Sequence, residues 1–222
     1  MSLLLPLGAF AAILAAVTCG GTLLVASLFP PGSTFRPERW SWGFVVGAAL
    51  VAGQAALAIA LGLSPGWIPA LLLFAIAAAL TWRARLREIG SDTAPQPDRA
   101  VLLSALLVAL LASGVLFYLL RALTEPMWSN DYLAIWGLKG KTLFLARRFP
   151  ASVLPPSLYA FSHPEYPLGL PLIFAGAAGL LRRWDDHALA LLFPLFQAAT
   201  LVTLFGWLRR RGLPWPIPLA AA

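Results

Sequence analysis

Long apolar runs separated by short polar breaks dominate the chain. A spanning helix needs about 20 consecutive apolar residues. The run 3–29 meets that length and ends at Pro30, Pro31, Gly32 and Ser33. A second run covers 42–61, entered past Trp40 and Trp42, which suit an interfacial aromatic belt. After a turn through Gly62, Ser64, Pro65 and Gly66, a shorter third run covers 67–82. A fourth covers 101–120 and a fifth 187–208, and residues 214–222 read as the start of a further apolar segment. The runs are continuous and rich in Leu and Ala, which argues for helices and against the alternating strands of a membrane β-barrel. The expected fold class is all-α: a polytopic helical membrane protein, one membrane domain over 1–222, with a long outer loop.

That loop, 121–186, breaks the pattern. It holds Pro126, Pro150, Pro155, Pro156, Pro164, Pro167 and Pro171 and most of the unusual polar residues. Ser129 or Asn130 suits a helix N-cap, with Asp131 in the first turn. No proline follows until Pro150, so a helix is expected near 130–147. Its mostly apolar make-up, with Trp136 and two lysines, suits a helix lying in the membrane interface. A second interfacial helix is expected near 166–182, and whether that stretch spans the membrane is left open.

Composition agrees with a membrane chain: 60% of residues are hydrophobic and 11% charged, against about 25% charged in soluble domains. The net charge of +7 comes from arginines at the ends of apolar runs, which fits cytoplasmic anchoring and not nucleic-acid binding. Arg83, Arg85, Arg87 and Arg99 flank one short loop and place it in the cytoplasm, together with Arg36 and Arg39. The loop 121–186 then lies on the periplasmic or outer side of a cell inner membrane. Arg209, Arg210 and Arg211, directly at a helix end, favour a cytoplasmic end for 187–208. Cys19 is the single cysteine, so neither a disulfide nor a thiol metal site is expected.

Candidate chemistry concentrates in the outer loop, since Gln54 and Gln197 are the main polar side chains in the predicted spans. Transporters place ionisable groups inside their spans, so a surface enzyme or binder fits better. Asp131 is either a reactive carboxylate or a helix cap. Lys139, Lys141, Arg147 and Arg148 either serve a substrate or bind anionic head groups of membrane lipids. His163 could contact phosphate, shuttle a proton or bind metal, or be plain polar surface. His187, beside Asp185 and Asp186 at a helix start, suits a capping or interfacial role.

Two strings carry a resemblance. Residues 130–141 read Asn-Asp-Tyr-Leu-Ala-Ile-Trp-Gly-Leu-Lys-Gly-Lys, and 161–171 read Phe-Ser-His-Pro-Glu-Tyr-Pro-Leu-Gly-Leu-Pro. Together they resemble the first outer loop of GT-C membrane glycosyltransferases, the superfamily of protein O-mannosyltransferases and aminoarabinose transferases. The likeness covers about 102–211, and the chain corresponds to the N-terminal portion of such an enzyme. It departs in having three predicted spans before the loop, where relatives begin with the helix preceding it. The resemblance implies an inverting transfer of sugar from a polyprenyl-phosphate donor, in the cell envelope, to an acceptor it does not identify. Asp131 becomes the catalytic residue. His163, Lys139, Lys141, Arg147, Arg148, Glu165 and Tyr166 become the substrate-binding residues, with His163 expected on the carrier phosphate. No metal ligands are expected, and a divalent metal would be an optional aid to the leaving phosphate. The alternative is a non-catalytic membrane subunit or lipid-binding partner.

Overall fold

The computed structural model of the chain describes residues 14–15, 17–22, 24–25, 36–66, 75, 101–211, 213–214 and 216–221. The predicted spans 3–29 and 67–82 and the arginine-flanked loop 83–99 lie largely outside the described residues. Among the described residues every regular element is helical. The longer ones are α1 (Arg36–Ala60), α2 (Val101–Thr124), a π-turn (Tyr132–Trp136) running into α3 (Gly137–Ala146), α4 (Pro156–Phe161), α5 (Gly169–Leu181), α6 (Asp186–Ala190), α7 (Leu192–Arg210) and α8 (Pro216–Ala221). Three stretches among them, Glu38–Ala60, Ala105–Thr124 and Asp186–Arg209, are long and apolar enough to cross a membrane.

α1 begins earlier than the apolar run at 42. Its first turns carry Glu38 and Ser41, both buried, and their surroundings come from α7. The Ser41 hydroxyl donates to the Glu38 carbonyl at 2.9 Å and lies 2.8 Å from the Thr203 hydroxyl. Glu38 packs on Gly206, where a methyl group would collide with the carboxylate. The start of α1 therefore lies beside the end of α7, and the two run antiparallel. The last apolar run is split at Leu191 into α6 and α7. Pro194 lacks an N–H and its ring crowds the carbonyl four residues back, so the first turn of α7 cannot continue α6 smoothly.

α5 occupies the middle. Its 13 residues rise about 20 Å at 1.5 Å each, short of a hydrocarbon core of about 30 Å. It is enclosed by protein: Pro171 and every residue from Phe174 to Leu180 are buried. Against α1 it presents Gly176, where a Cβ would lie 2.9 Å from the Val51 carbonyl oxygen. Against α3, a Cβ on Gly140 would lie 3.2 Å from both Phe174 Cβ and the Pro171 carbonyl. Phe174 is the aromatic centre, with edge contacts to Tyr132, Trp184 and Phe193 at 5.9, 6.4 and 6.0 Å. α2 differs, with only 6% of its apolar window buried. Leu106, Leu110 and Phe117 point outward, which suits a lipid solvent and would be a liability in water.

Between helices already in lipid there is little hydrophobic drive, so close fit decides association. Gly176→Val should therefore cost about 1–3 kcal/mol through overpacking. Gly53→Ala, where nothing lies within 4 Å of an added Cβ, should be neutral or stabilising by up to about 1 kcal/mol. Thermal unfolding of both variants in detergent checks the contrast.

Candidate functional site

Asp131 sits in the first turn of a helical run from 130 to 146. Ser129 caps it: its Oγ accepts from the Tyr132 N–H at 3.2 Å, and its carbonyl from the Leu133 N–H at 2.9 Å. The Asp131 side chain makes no capping bond. The run opens as a π-turn, closed by the Gly137 N–H donating to the Tyr132 carbonyl. Gly137 is needed there, since a Cβ would come within 2.7 Å of the Tyr132 ring. π-turns recur at functional sites.

Tyr132 is the anchor. It is buried, and its hydroxyl donates to Asp186 Oδ1, which also accepts from Trp184 Nε1 at 2.9 Å. Burial first, then the Asp186 carboxylate, pushes the Tyr132 hydroxyl well above the usual tyrosine range, so it stays a protonated donor. Nearby, Asp185 caps α6 by accepting from the Ala188 N–H at 3.2 Å and pairs with Arg183 at 2.5 Å. His187 lies next to that cap, and its Nδ1 is 3.2 Å from the Ala122 carbonyl at the end of α2. Sequence reasoning missed Tyr132, Trp184 and Asp186 as a unit. The Tyr132 hydroxyl and Asp186 are 54 positions apart, and no local signal joins them.

The candidate residues divide into two groups. Lys139, His163, Glu165 and Tyr166 are brought together. Lys139, expected among the open cations, is turned inward with 1% exposure, and its Nζ donates to the His163 carbonyl at 2.5 Å. Burial lowers its pKa, and Glu165 opposes that shift. His163 has a left-handed backbone, φ 55°. Its ring stacks on Tyr166 at 4.9 Å, and Tyr166 stacks on Trp136 at 5.5 Å. His163 Nδ1 lies 2.9 Å from Glu165 Oε1. A hydrogen bond from its own backbone N–H, and then His163, hold the Glu165 carboxyl below its usual range. An ionised carboxylate only accepts. Nδ1 must therefore donate, and in neutral His163 Nε2 presents a lone pair, the wrong polarity for a phosphate oxygen.

The second group stays open. Asp131, Lys141, Arg147 and Arg148 are exposed, with no hydrogen bond or ion pair among the described residues. The other carboxylates of 101–211 are engaged: Glu125 with Arg121 at 2.9 Å, Glu165 with His163, Asp185 with Arg183 and Asp186 with Tyr132 and Trp184. Among the described residues no group of three or more His, Cys, Asp or Glu is placed to hold a metal ion. An apolar cavity of about 30 Å³ between α1, α5 and α7 is lined by none of the candidate site residues. No family model, curated protein or solved structure matches the chain.

Tyr132→Phe deletes a bond to a charged acceptor and should cost about 1.5–3 kcal/mol. Because the folded-state pKa of Tyr132 is raised, its contribution is complete below the ordinary value of 10.0 and is lost as pH rises beyond that. Urea unfolding followed across that range should show the wild type losing stability on the alkaline side and Tyr132→Phe losing less.

Proposed function

We propose that the chain is, or is the N-terminal part of, a GT-C-type membrane glycosyltransferase that transfers a sugar from a polyprenyl-phosphate donor with inversion. One observation supports this most: Asp131 carries the open carboxylate of 101–211, on a helix start anchored by Tyr132, seven residues beyond the end of α2 at Thr124. Its acidic neighbours each have a partner, whereas Asp131 has both oxygens free for an incoming proton.

The positions of helix ends support a membrane setting. The start of α1, with Arg39, and the end of α7, with Arg209, share one face of the bundle. Under the positive-inside rule that face is cytoplasmic. The end of α2, Asp131 and the α6 turn then lie on the periplasmic or outer side of the inner membrane. The carrier lipid stays in the bilayer while its sugar meets the site at the surface.

In the reaction, the acceptor hydroxyl or amine attacks the anomeric carbon and loses its proton to Asp131. The bond from that carbon to the phosphate oxygen breaks, and polyprenyl phosphate leaves with the electron pair. Lys141, Arg147 and Arg148 are the open cations that can offset the leaving charge.

Asp131→Asn tests the proposal. Transfer of labelled sugar from a polyprenyl-phosphate donor in nanodiscs should fall roughly 10²–10⁴-fold, or about 3–5 kcal/mol of barrier at 1.36 kcal/mol per tenfold. Thermal stability should not change, because the carboxylate holds nothing in place. Undiminished transfer by the variant would remove Asp131 as the base, and a donor-binding wild type without transfer would favour a non-catalytic lipid-binding subunit.

A further inference from the structure

We infer that the turn 162–166 is a subsite for the hydroxyl groups of a sugar ring, and not for the carrier phosphate. The inference takes its place in a reaction from the transferase reading, but the binding itself can be tested without turnover.

The polarity of the turn carries the argument. Nδ1 of His163 donates to Glu165 Oε1 at 2.9 Å, which leaves the second Glu165 oxygen as a hydrogen-bond acceptor, joined by Nε2 whenever the ring is neutral. Both side chains are about half exposed or more, at 49% and 63%. Lys139, the cation beneath them, is committed inward to the His163 carbonyl. A phosphate arriving here would meet the Glu165 carboxylate, a like charge. A sugar hydroxyl would bring the donors these atoms need.

The turn is also held rigid. The His163 carbonyl accepts from Lys139 Nζ at 2.5 Å and from the Tyr166 N–H at 3.0 Å. That double hold fixes a residue in the left-handed region, φ 55°, a conformation that is unfavourable for a non-glycine residue. Strain kept in place by surrounding contacts is a recurring mark of binding sites. The His163 ring stacks on Tyr166, which stacks on Trp136, and these ring contacts help hold the turn in place.

The test is protection of His163 from diethyl pyrocarbonate, which acylates a neutral imidazole nitrogen, read by mass spectrometry on the full chain in nanodiscs. The probes are methyl glucoside, methyl mannoside, methyl glucosaminide and inorganic phosphate at matched ionic strength. At least one glycoside should slow modification of His163 several-fold, with His187 unaffected and phosphate without effect. In Glu165→Gln that protection should be lost. Protection by phosphate instead, or by none of the glycosides, overturns the inference. Since no transfer is measured, either result leaves the role of Asp131 to be decided by its own variant.

Discussion

The close approach of α5 to α1 across Gly176 is the constraint on which the rest of the structure depends. A helix of 13 residues is too short to cross a bilayer, and in lipid its terminal backbone groups would be left without partners. It must be housed in protein. Glycine at 176 lets the two backbones meet, and the buried face of α5 then becomes a floor for what packs on it. α3 uses that floor through Gly140, and Tyr132 and Trp184 use it through Phe174. Loss of this contact would leave the segment that carries Tyr132 and Lys139 without a support.

On that support the polar residues take two roles. Most are consumed in holding the segment from Ser129 to Ala190 together. Tyr132 and Trp184 converge on Asp186, Asp185 caps α6, and Lys139 secures the turn that carries His163. Buried polar groups left unpaired are costly, so these bonds make the segment rigid and remove those groups from chemistry. What remains outward among the described residues includes a carboxylate at one end of the helical run, the cations Lys141, Arg147 and Arg148 along and beyond it, and the pair of His163 and Glu165. Asp131 is open because Ser129 does the capping and Tyr132 does the anchoring.

Much of the helical layout was legible in the sequence because apolar run length reports directly on burial in lipid or protein. The runs at 42–61, 101–120 and 187–208 coincide with the helices long enough to cross a membrane, and Ser129 was readable as a cap. Boundaries were less legible where a polar residue found a distant partner, as Ser41 did in Thr203. At Arg147 and Arg182, the last positions of the expected helices, arginine itself adopts the left-handed conformation that glycine usually signals. The break at Leu191, just before Pro194, was not legible, because 187–208 is one continuous apolar run. For the candidate site, sequence identified the reactive residue types without their orientations. A lysine among loop polar residues reads as solvent-facing, yet Lys139 is buried. Two candidates two positions apart, His163 and Glu165, pair with each other, and in the neutral ring that pairing leaves Nε2 an acceptor.

The central claim is that Asp131 stands open while its acidic neighbours are engaged. Carboxyl footprinting with a water-soluble carbodiimide and an amine nucleophile, read residue by residue on the intact chain in nanodiscs, tests it most directly. The account predicts that Asp131 is modified faster than Asp185 and Asp186, both before and after Glu165→Gln. Protection of Asp131 at a level equal to Asp186 would contradict it.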